Sequence, residues 1–331
     1  MNRHRTTTLV AALLATLALV SACGGSSGPL GSVPVASPSP DASVDQGSPD
    51  VTPAPSDEPT TQPSDEPTGS VEPGTSPTPS TSPSPSGTTI VRAYFWLGGR
   101  PDAQGLVAVL REIPGTKSVA TAAVNALLAG PTTAEAGRSI STSVPDGSQL
   151  LGLSIASGVA TVDLSAEFES GGGSASVLTR LGQMVYTLTQ FPTVKSVVFQ
   201  IEGETKTVFS SEGVVLDKPA TRADYIDLLP AIWVDRPAFN AAIGNPAHVT
   251  GTANVFEATF RIAILDGSGK TLADEQAMAT CGTGCRGTFD VSIPYAVAKA
   301  QYGTVRVYDL SAKDGTPQDV RDYRVWLTPK G

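Results

Sequence analysis

The sequence is poor in the residues that most often carry catalysis and metal binding. Of its two histidines, only His248 lies beyond the N-terminal apolar segment. The three cysteines are Cys23, Cys281 and Cys285, and their spacing fits neither a zinc site nor a C-x-x-C redox motif. The patterns G-x-S-x-G and H-E-x-x-H are missing, and no glycine-rich dinucleotide fingerprint follows a strand. We therefore predict a protein without catalytic residues, metal or cofactor.

Basic residues are missing from a long N-terminal stretch. Between Arg5 and Arg92 there is no lysine or arginine, although eight acidic residues lie there. Since the whole chain carries -9, residues 87–331 carry only about -3 and show no basic stripe. We therefore expect no nucleic acid among the partners of this chain.

The first 22 residues have the pattern of a signal peptide. Arg3 and Arg5 precede an apolar run at 9–20, which is shorter than the roughly 20 residues of a spanning helix. The run ends in VSAC (20–23), which resembles the lipobox of bacterial lipoproteins. That resemblance implies lipidation of Cys23 with palmitate-type chains and a membrane anchor on the extracytoplasmic face, because two acyl chains anchor stably. A leader that is uncleaved, or cleaved in the conventional way, is the alternative.

Residues 23–87 have the composition of a tether. This stretch holds 15 of the 27 prolines, is rich in Ser and Thr, and repeats PSDEPT at 55–60 and 63–68. Large apolar residues are almost absent, so the stretch cannot offset the entropy cost of ordering and is predicted to be disordered. It would hold the following domains away from a membrane.

Residues 88–213 read as a small α+β domain with two helices on a sheet. Ser118 is a candidate cap for a helix that ends at Leu128, and an apolar stripe follows the glycines at 171–173. That stripe comprises Val177, Leu181, Met184 and Leu188. Apolar alternation predicts strands within 88–99, 105–115 and 194–204, and a hairpin over 149–165 with its turn at 156–158.

Three segments of this domain carry a resemblance to a known family. They are LLAGPTTAEAG (127–137), VATVDLSAEF (159–168) and MVYTLTQFPTVKSVVFQIEGE (184–204). Together they resemble the GerMN domain of sporulation and spore-germination lipoproteins. The resemblance implies a non-enzymatic envelope domain, similar in fold to the ring-building modules of membrane-associated complexes.

Residues 228–328 change to short strands separated by turn residues. Seven candidates lie at 231–237, 247–255, 256–267, 271–279, 287–295, 304–311 and 322–327. This number and spacing predict an immunoglobulin-like sandwich, with Phe256, Ala258, Phe260, Ile262 and Ile264 on one face. Two segments of this part resemble the immunoglobulin-like domain of bacterial spore germination. They are GTANVFEATFRIAILDGSGKTL and FDVSIPY. The segment between the two domains is short and half apolar, which favours packing between them.

Several motifs have both a structural and a chemical interpretation. Asp163 and Glu167 are two carboxylates four residues apart, a spacing that could serve acid–base catalysis. The favoured interpretation is structural: Asp163 caps a turn and Glu167 is solvated. GSGKT (267–271) ends like a phosphate-binding loop, yet Ile264 stands where that loop needs glycine, so a hairpin turn is predicted. Cys281 and Cys285 are predicted to form a structural disulfide, since nearby cysteines outside the cytoplasm usually pair.

These observations predict a lipid-anchored binding or scaffolding protein of a cell-envelope assembly, sporulation- or germination-like by resemblance. Its partner would be an envelope protein or the cell wall, and its oligomeric state stays open. The main alternative is a module that binds cell-wall polysaccharide, and an envelope hydrolase is the third. Tryptophans clustered in a groove, from Trp96, Trp233 and Trp326, would favour polysaccharide, whereas an apolar patch would favour a protein partner.

Overall fold

The computed structural model describes residues 87–330. The predicted signal peptide, the lipidated Cys23 and nearly all of the predicted tether lie outside the described residues, so these expectations stay predictions. Across residues 87–330, no helix is both long enough and apolar enough to span a membrane. The described residues belong to one compact unit.

The first part of the fold is mixed α+β. Its helices and strands are β1 (Thr88–Leu97), β2 (Gly105–Pro114), α1 (Val119–Leu128), α2 (Thr133–Ala136), β3 (Ile140–Ser141), β4 (Leu150–Ala156), β5 (Val159–Leu164), α3 (Ser174–Leu188), β6 (Ser196–Ile201), β7 (Glu204–Thr205), β8 (Val208–Phe209) and β9 (Val214–Val215). They form three sheets, ordered β2-β1-β3, β4-β5-β6-β7 and β8-β9. The predicted strands and both predicted helices are present. Ser118 lies at the start of α1, but its side chain makes no capping hydrogen bond.

Helix α3 is the centre of this part. Its apolar stripe is fully buried, as its spacing predicts, and the helix contacts both β1 and β6. Polar side chains of α3 are buried as well, because they bind the part of the β1 edge that the short strand β3 leaves uncovered. Tyr94 N donates to Thr187 Oγ1 at 3.1 Å, and Gln183 Nε2 donates to Tyr94 O at 3.0 Å. Just beyond α3, Gln190 bonds both the N–H and the carbonyl of Arg92. The helix thus satisfies a sheet edge that would otherwise be exposed.

The second part is a β-sandwich. Its strands are β10 (Ile232–Arg236), β11 (Ala242–Ile243), β12 (Ala247–Ala253), β13 (Thr259–Leu265), β14 (Thr271–Met278), β15 (Gly287–Ile293), β16 (Gln301–Leu310) and β17 (Pro317–Leu327). They form one sheet ordered β10-β12-β15 and another ordered β11-β17-β16-β13-β14. Phe260 and Phe289 meet between the sheets with ring centroids 4.8 Å apart.

The seven predicted strands are present, with one correction at the start of the third. Phe256 and Ala258 do not lie on a strand, because residues 256–258 form a turn of 3₁₀ helix and β13 begins at Thr259. The Phe256 side chain is consequently exposed, whereas Phe260, Ile262 and Ile264 are buried on one face as predicted.

The segment between the two parts packs against α3. It contains a 3₁₀ stretch at Arg222–Leu228, in which Tyr225 is buried. Gly182 of α3 leaves room for this segment, since a Cβ there would collide with Leu228 and touch Tyr225. The buried apolar side chains of both parts form one continuous core.

Candidate functional site

The carboxylates singled out from the sequence do not form a buried pair. Asp163 is the second-last residue of β5, and its carboxylate accepts a hydrogen bond from Gly203 N at 2.9 Å. Glu167 is exposed, and a hydrogen bond with the Ser165 side chain lowers its pKa. A general acid needs the opposite, a raised pKa. This geometry agrees with the structural interpretation of both residues.

His248 lies on the surface of the sandwich, paired with an acid on the neighbouring strand. Its Nε2 is 2.5 Å from Oδ1 of Asp290, and both side chains are more than half exposed. An exposed pair of this kind contributes little to stability.

The other two motifs are connections between strands. Residues 266–270 form the β13–β14 turn, in which the Asp266 carboxylate accepts from the N–H groups of Ser268 and Lys270. Strands flank this turn, so it lacks the helix of a phosphate-binding loop. Cys281 and Cys285 are placed as a disulfide pair between β14 and β15, with Cα atoms 5.9 Å apart. Within residues 87–330, no group of three or more His, Cys, Asp or Glu side chains is arranged to hold a metal ion.

The three tryptophans do not form a binding platform. Trp233 is buried among Tyr94 and Tyr186, and its Nε1 donates to Leu106 O at 3.0 Å. Trp326 is partly buried, with its ring edge-on to Tyr302. Trp96 is partly buried on β1 and packs against the core.

Strands β1 and β10 meet at a polar cluster in the contact between the two parts. The Asp235 carboxylate accepts from Arg92 Nη1 at 3.0 Å and from the Tyr94 hydroxyl at 2.8 Å. Burial raises the pKa of Tyr94, so this hydroxyl stays a donor. Arg222 covers the Tyr94 and Tyr186 rings on the other side of the cluster. The cluster fixes the relative orientation of the two parts.

Arg321 forms a second set of contacts across the same boundary. Its side chain is only 2% exposed, and it donates to three carbonyls of the β1–β2 region: Ala103 at 2.6 Å, Gly105 at 3.1 Å and Leu106 at 2.7 Å. The backbone of Phe239 also pairs with β2, through Ala108 O and Leu110 N. None of these contacts could be read from local sequence pattern, because the partners are more than 100 residues apart.

Two surfaces are available for binding. The first, called here the β4 edge, is the outer side of β4 with Leu151, Leu153 and Ile155. Among the described strands none pairs with this side of β4. Leu151 is 50% exposed and Ile155 is 40% exposed. An unpaired strand carrying exposed apolar side chains can accept a strand of another protein.

The second surface, called here the arginine cleft, lies between the two parts. It has a volume of 690 Å³, in the range of ligand pockets. The first part contributes the loop after β1, with Arg100, and the turn at Arg138. The second part contributes the β13–β14 turn, the start of β16 with Tyr302, and the middle of β17 with Arg324. No sequence motif indicates this cleft, since its residues come together only when the two parts pack.

Comparison with known proteins identifies two families. Residues 92–207 match the family model for sporulation and spore germination (Germane), and residues 231–316 match the model for the immunoglobulin-like domain of bacterial spore germination (Gmad2). Neither description names a reaction. No curated protein matched this chain.

Solved structures give weaker likenesses. The tandem GerMN domains of the sporulation protein GerM from Bacillus subtilis are 27% identical, over 41% of this chain and 46% of that chain, with a TM-score of 0.35. The first GerMN domain of the same protein is 21% identical, over 41% and 98%, also with a TM-score of 0.35. A putative lipoprotein from Clostridium perfringens is 21% identical, over 43% and 93%, with a TM-score of 0.31.

The chain thus spans about half the length of the tandem structure. The TM-scores are all below 0.5, so these likenesses do not indicate a function. The assignment depends on the two family models, which match in the order expected from the sequence motifs. The chain therefore carries a sporulation and spore germination domain at residues 92–207, followed by an immunoglobulin-like domain of bacterial spore germination at residues 231–316.

Proposed function

We propose that this protein is a lipid-anchored, extracytoplasmic and non-enzymatic scaffold that binds a protein partner in a cell-envelope assembly. The anchor is proposed from the apolar leader that ends at Cys23, and the process from the two domain families. The observation that carries the choice of a protein partner is the β4 edge. Its unpaired backbone and exposed Leu151 and Ile155 suit strand addition.

The tryptophans argue against the polysaccharide alternative. A glycan platform needs exposed aromatic faces in a groove, but Trp233 is buried between the two parts. The contacts of Asp235 and Arg321 between the parts also suit a scaffold, because they hold the β4 edge in a defined orientation to the second part.

The experiment is crosslinking of the lipidated protein in intact cells, followed by mass spectrometry of captured proteins. The test variant is Leu151→Lys with Ile155→Lys, which places charge on the β4 edge. The control is Leu310→Lys, at a leucine of similar exposure, 47%, on β16. We expect the native protein and the control to capture the same one or two membrane proteins, and the double variant to lose them with an unchanged melting temperature.

Two results would overturn the proposal. Equal capture by the double variant would exclude the β4 edge as the binding surface. Capture of no protein, together with sedimentation of the chain with purified cell wall, would favour the polysaccharide alternative. The anchor is tested separately: Cys23→Ser should move the protein from the membrane fraction to the soluble fraction, and retention in the membrane would refute lipidation.

A further inference from the structure

The arginine cleft has a charge balance that the rest of the chain does not share. Arg100, Arg138 and Arg324 line it, and the buried Arg321 forms part of its wall. The lining contains only two acids, Asp266 and Asp322. Residues 87–331 carry about -3 in total, so this is a local cationic site on a fold that is slightly acidic overall.

Both acids of the cleft are already engaged within the protein. The Asp266 carboxylate accepts three hydrogen bonds from its own turn, from Ser268 N, Ser268 Oγ and Lys270 N, which lower its pKa. Asp322 accepts two hydrogen bonds from Arg306, at 2.7 and 2.8 Å. Neither acid pairs with an arginine that lines the cleft.

The arginines, in contrast, lack strong acidic partners. Arg138 is exposed and forms no ion pair with any described residue. Arg100 lies 3.9 Å from Asp102, in a pair whose two side chains are both about half exposed or more. Such a pair is weak and leaves the guanidinium free to bind an anion.

The buried wall adds to this field. Arg321 is compensated by three carbonyl groups and by the Tyr323 ring, 5.4 Å from the guanidinium carbon, with no carboxylate among its hydrogen-bond partners. Its Nε is buried and has no hydrogen-bond acceptor in the described structure. A buried charge of this kind is screened less than a surface charge, so it favours a negative ligand in the adjoining cleft.

Arg324 is held ready for binding. Its guanidinium carbon lies 3.3 Å from the centre of the Tyr302 ring, and its Nη1 donates to Asn240 Oδ1 at 2.7 Å. A planar guanidinium fixed by stacking binds carboxylate or phosphate oxygens with little loss of entropy. The same stacking covers a face of Tyr302, and Trp326 meets this ring edge-on, which disfavours a neutral sugar as the ligand.

We infer that the arginine cleft binds a ligand with closely spaced anionic oxygens, carboxylate or phosphate. Arg100 and Arg138 from the first part and Arg324 from the second part would contact it together. This site is separate from the β4 edge and does not depend on the proposed protein partner. A ligand of this class would contact both domains at once.

The test is isothermal titration of the purified full chain in detergent with pyrophosphate, with citrate and with N-acetylglucosamine. Pyrophosphate and citrate distinguish phosphate from carboxylate as the preferred group, and the sugar is the neutral control. The variants are Arg138→Gln and Arg100→Gln, both at exposed side chains. The matched control is Arg236→Gln, an exposed arginine that does not line the cleft.

We expect at least one anion to bind and its affinity to fall as salt rises. Each cleft variant should weaken binding by about tenfold, the effect of losing one charge-assisted contact, and the control by less than about twofold. Failure of both anions to bind would overturn the inference. An equal loss in Arg236→Gln, or binding of the neutral sugar that the cleft variants leave unchanged, would overturn it as well.

Discussion

Replacing Arg321 by methionine tests whether the two domains depend on a buried cation at their boundary. Methionine keeps much of the apolar length of the arginine side chain but donates no hydrogen bond. The substitution removes the contacts to Ala103 O, Gly105 O and Leu106 O. Leu106 O keeps Trp233 Nε1 as a donor, so the loss falls mainly on the other two carbonyls.

The size of the effect follows from opposing contributions. A hydrogen bond from a charged group contributes roughly 1.5–3 kcal/mol, whereas removing a buried charge relieves a desolvation cost of several kcal/mol. Burial also lowers the pKa of Arg321, because desolvation disfavours the charged form of the guanidinium. We expect a net loss of about 3 kcal/mol in the free energy of unfolding. For a unit of this size that is a decrease of roughly 6–12 °C in melting temperature.

The assay is differential scanning calorimetry, with tryptophan fluorescence as a second probe because Trp233 lies at the same boundary. The control is Arg306→Met, which breaks an ion pair between side chains 38% and 49% exposed. That loss should stay below about 1 kcal/mol. If Arg321→Met lowers the melting temperature no more than Arg306→Met does, the buried arginine does not join the domains and the reasoning is wrong.

Two further predictions concern single positions in the sandwich, Asp319 and Gly251, each with a matched control. Burial, together with the nearby Asp309 and Asp102, raises the pKa of Asp319 to about 6. The folded protein therefore binds the Asp319 proton more tightly than the unfolded chain does. Ionisation of Asp319 lowers the free energy of unfolding, and this loss is absent below about pH 4 and complete above about pH 6. Asp319→Asn should stabilise the protein at pH 7 but not at pH 4 in urea unfolding. Asp314→Asn should instead destabilise the protein at pH 7, because the hydrogen bond from the Thr316 side chain stabilises the ionised Asp314 and lowers its pKa. A change in the free energy of unfolding with the same sign for both variants would contradict this reasoning. Gly251→Ala should destabilise by about 1–3 kcal/mol, because its Cβ would collide with Trp233 O and the Phe289 ring. Gly152→Ala, where the nearest atom is 3.6 Å away, should be neutral or slightly stabilising in the same melts.

The hairpin of β4 and β5 shows how far local pattern can go. Alternation over 149–165 and a turn at 156–158 predicted both strands, because a period of two and a turn are properties of neighbouring residues; in the structure Ala156 is the last residue of β4. The same alternation could not tell that Leu151 and Ile155 would stay exposed. Whether a face is covered depends on where the helices lie, and they leave β4 largely open.

Helix α3 gives the complementary case. Its stripe of Val177, Leu181, Met184 and Leu188 predicted a buried face, and that face is buried. The polar residues Gln183 and Thr187 lie outside that stripe, and they are also buried, against the edge of β1. Their partners lie about 90 residues earlier in the chain, so no local signal could reveal the pairing.

The sequence by itself determined the strands, the helices, the two domains and their order, because these depend on short-range periodicity and on family motifs. The tertiary structure alone decided the polar cluster around Asp235, the burial of Arg321 and the arginine cleft. Each of these joins side chains from both domains. Their chemistry arises from desolvation and from charges brought together across long sequence separations, and neither is encoded in the spacing of neighbouring residues.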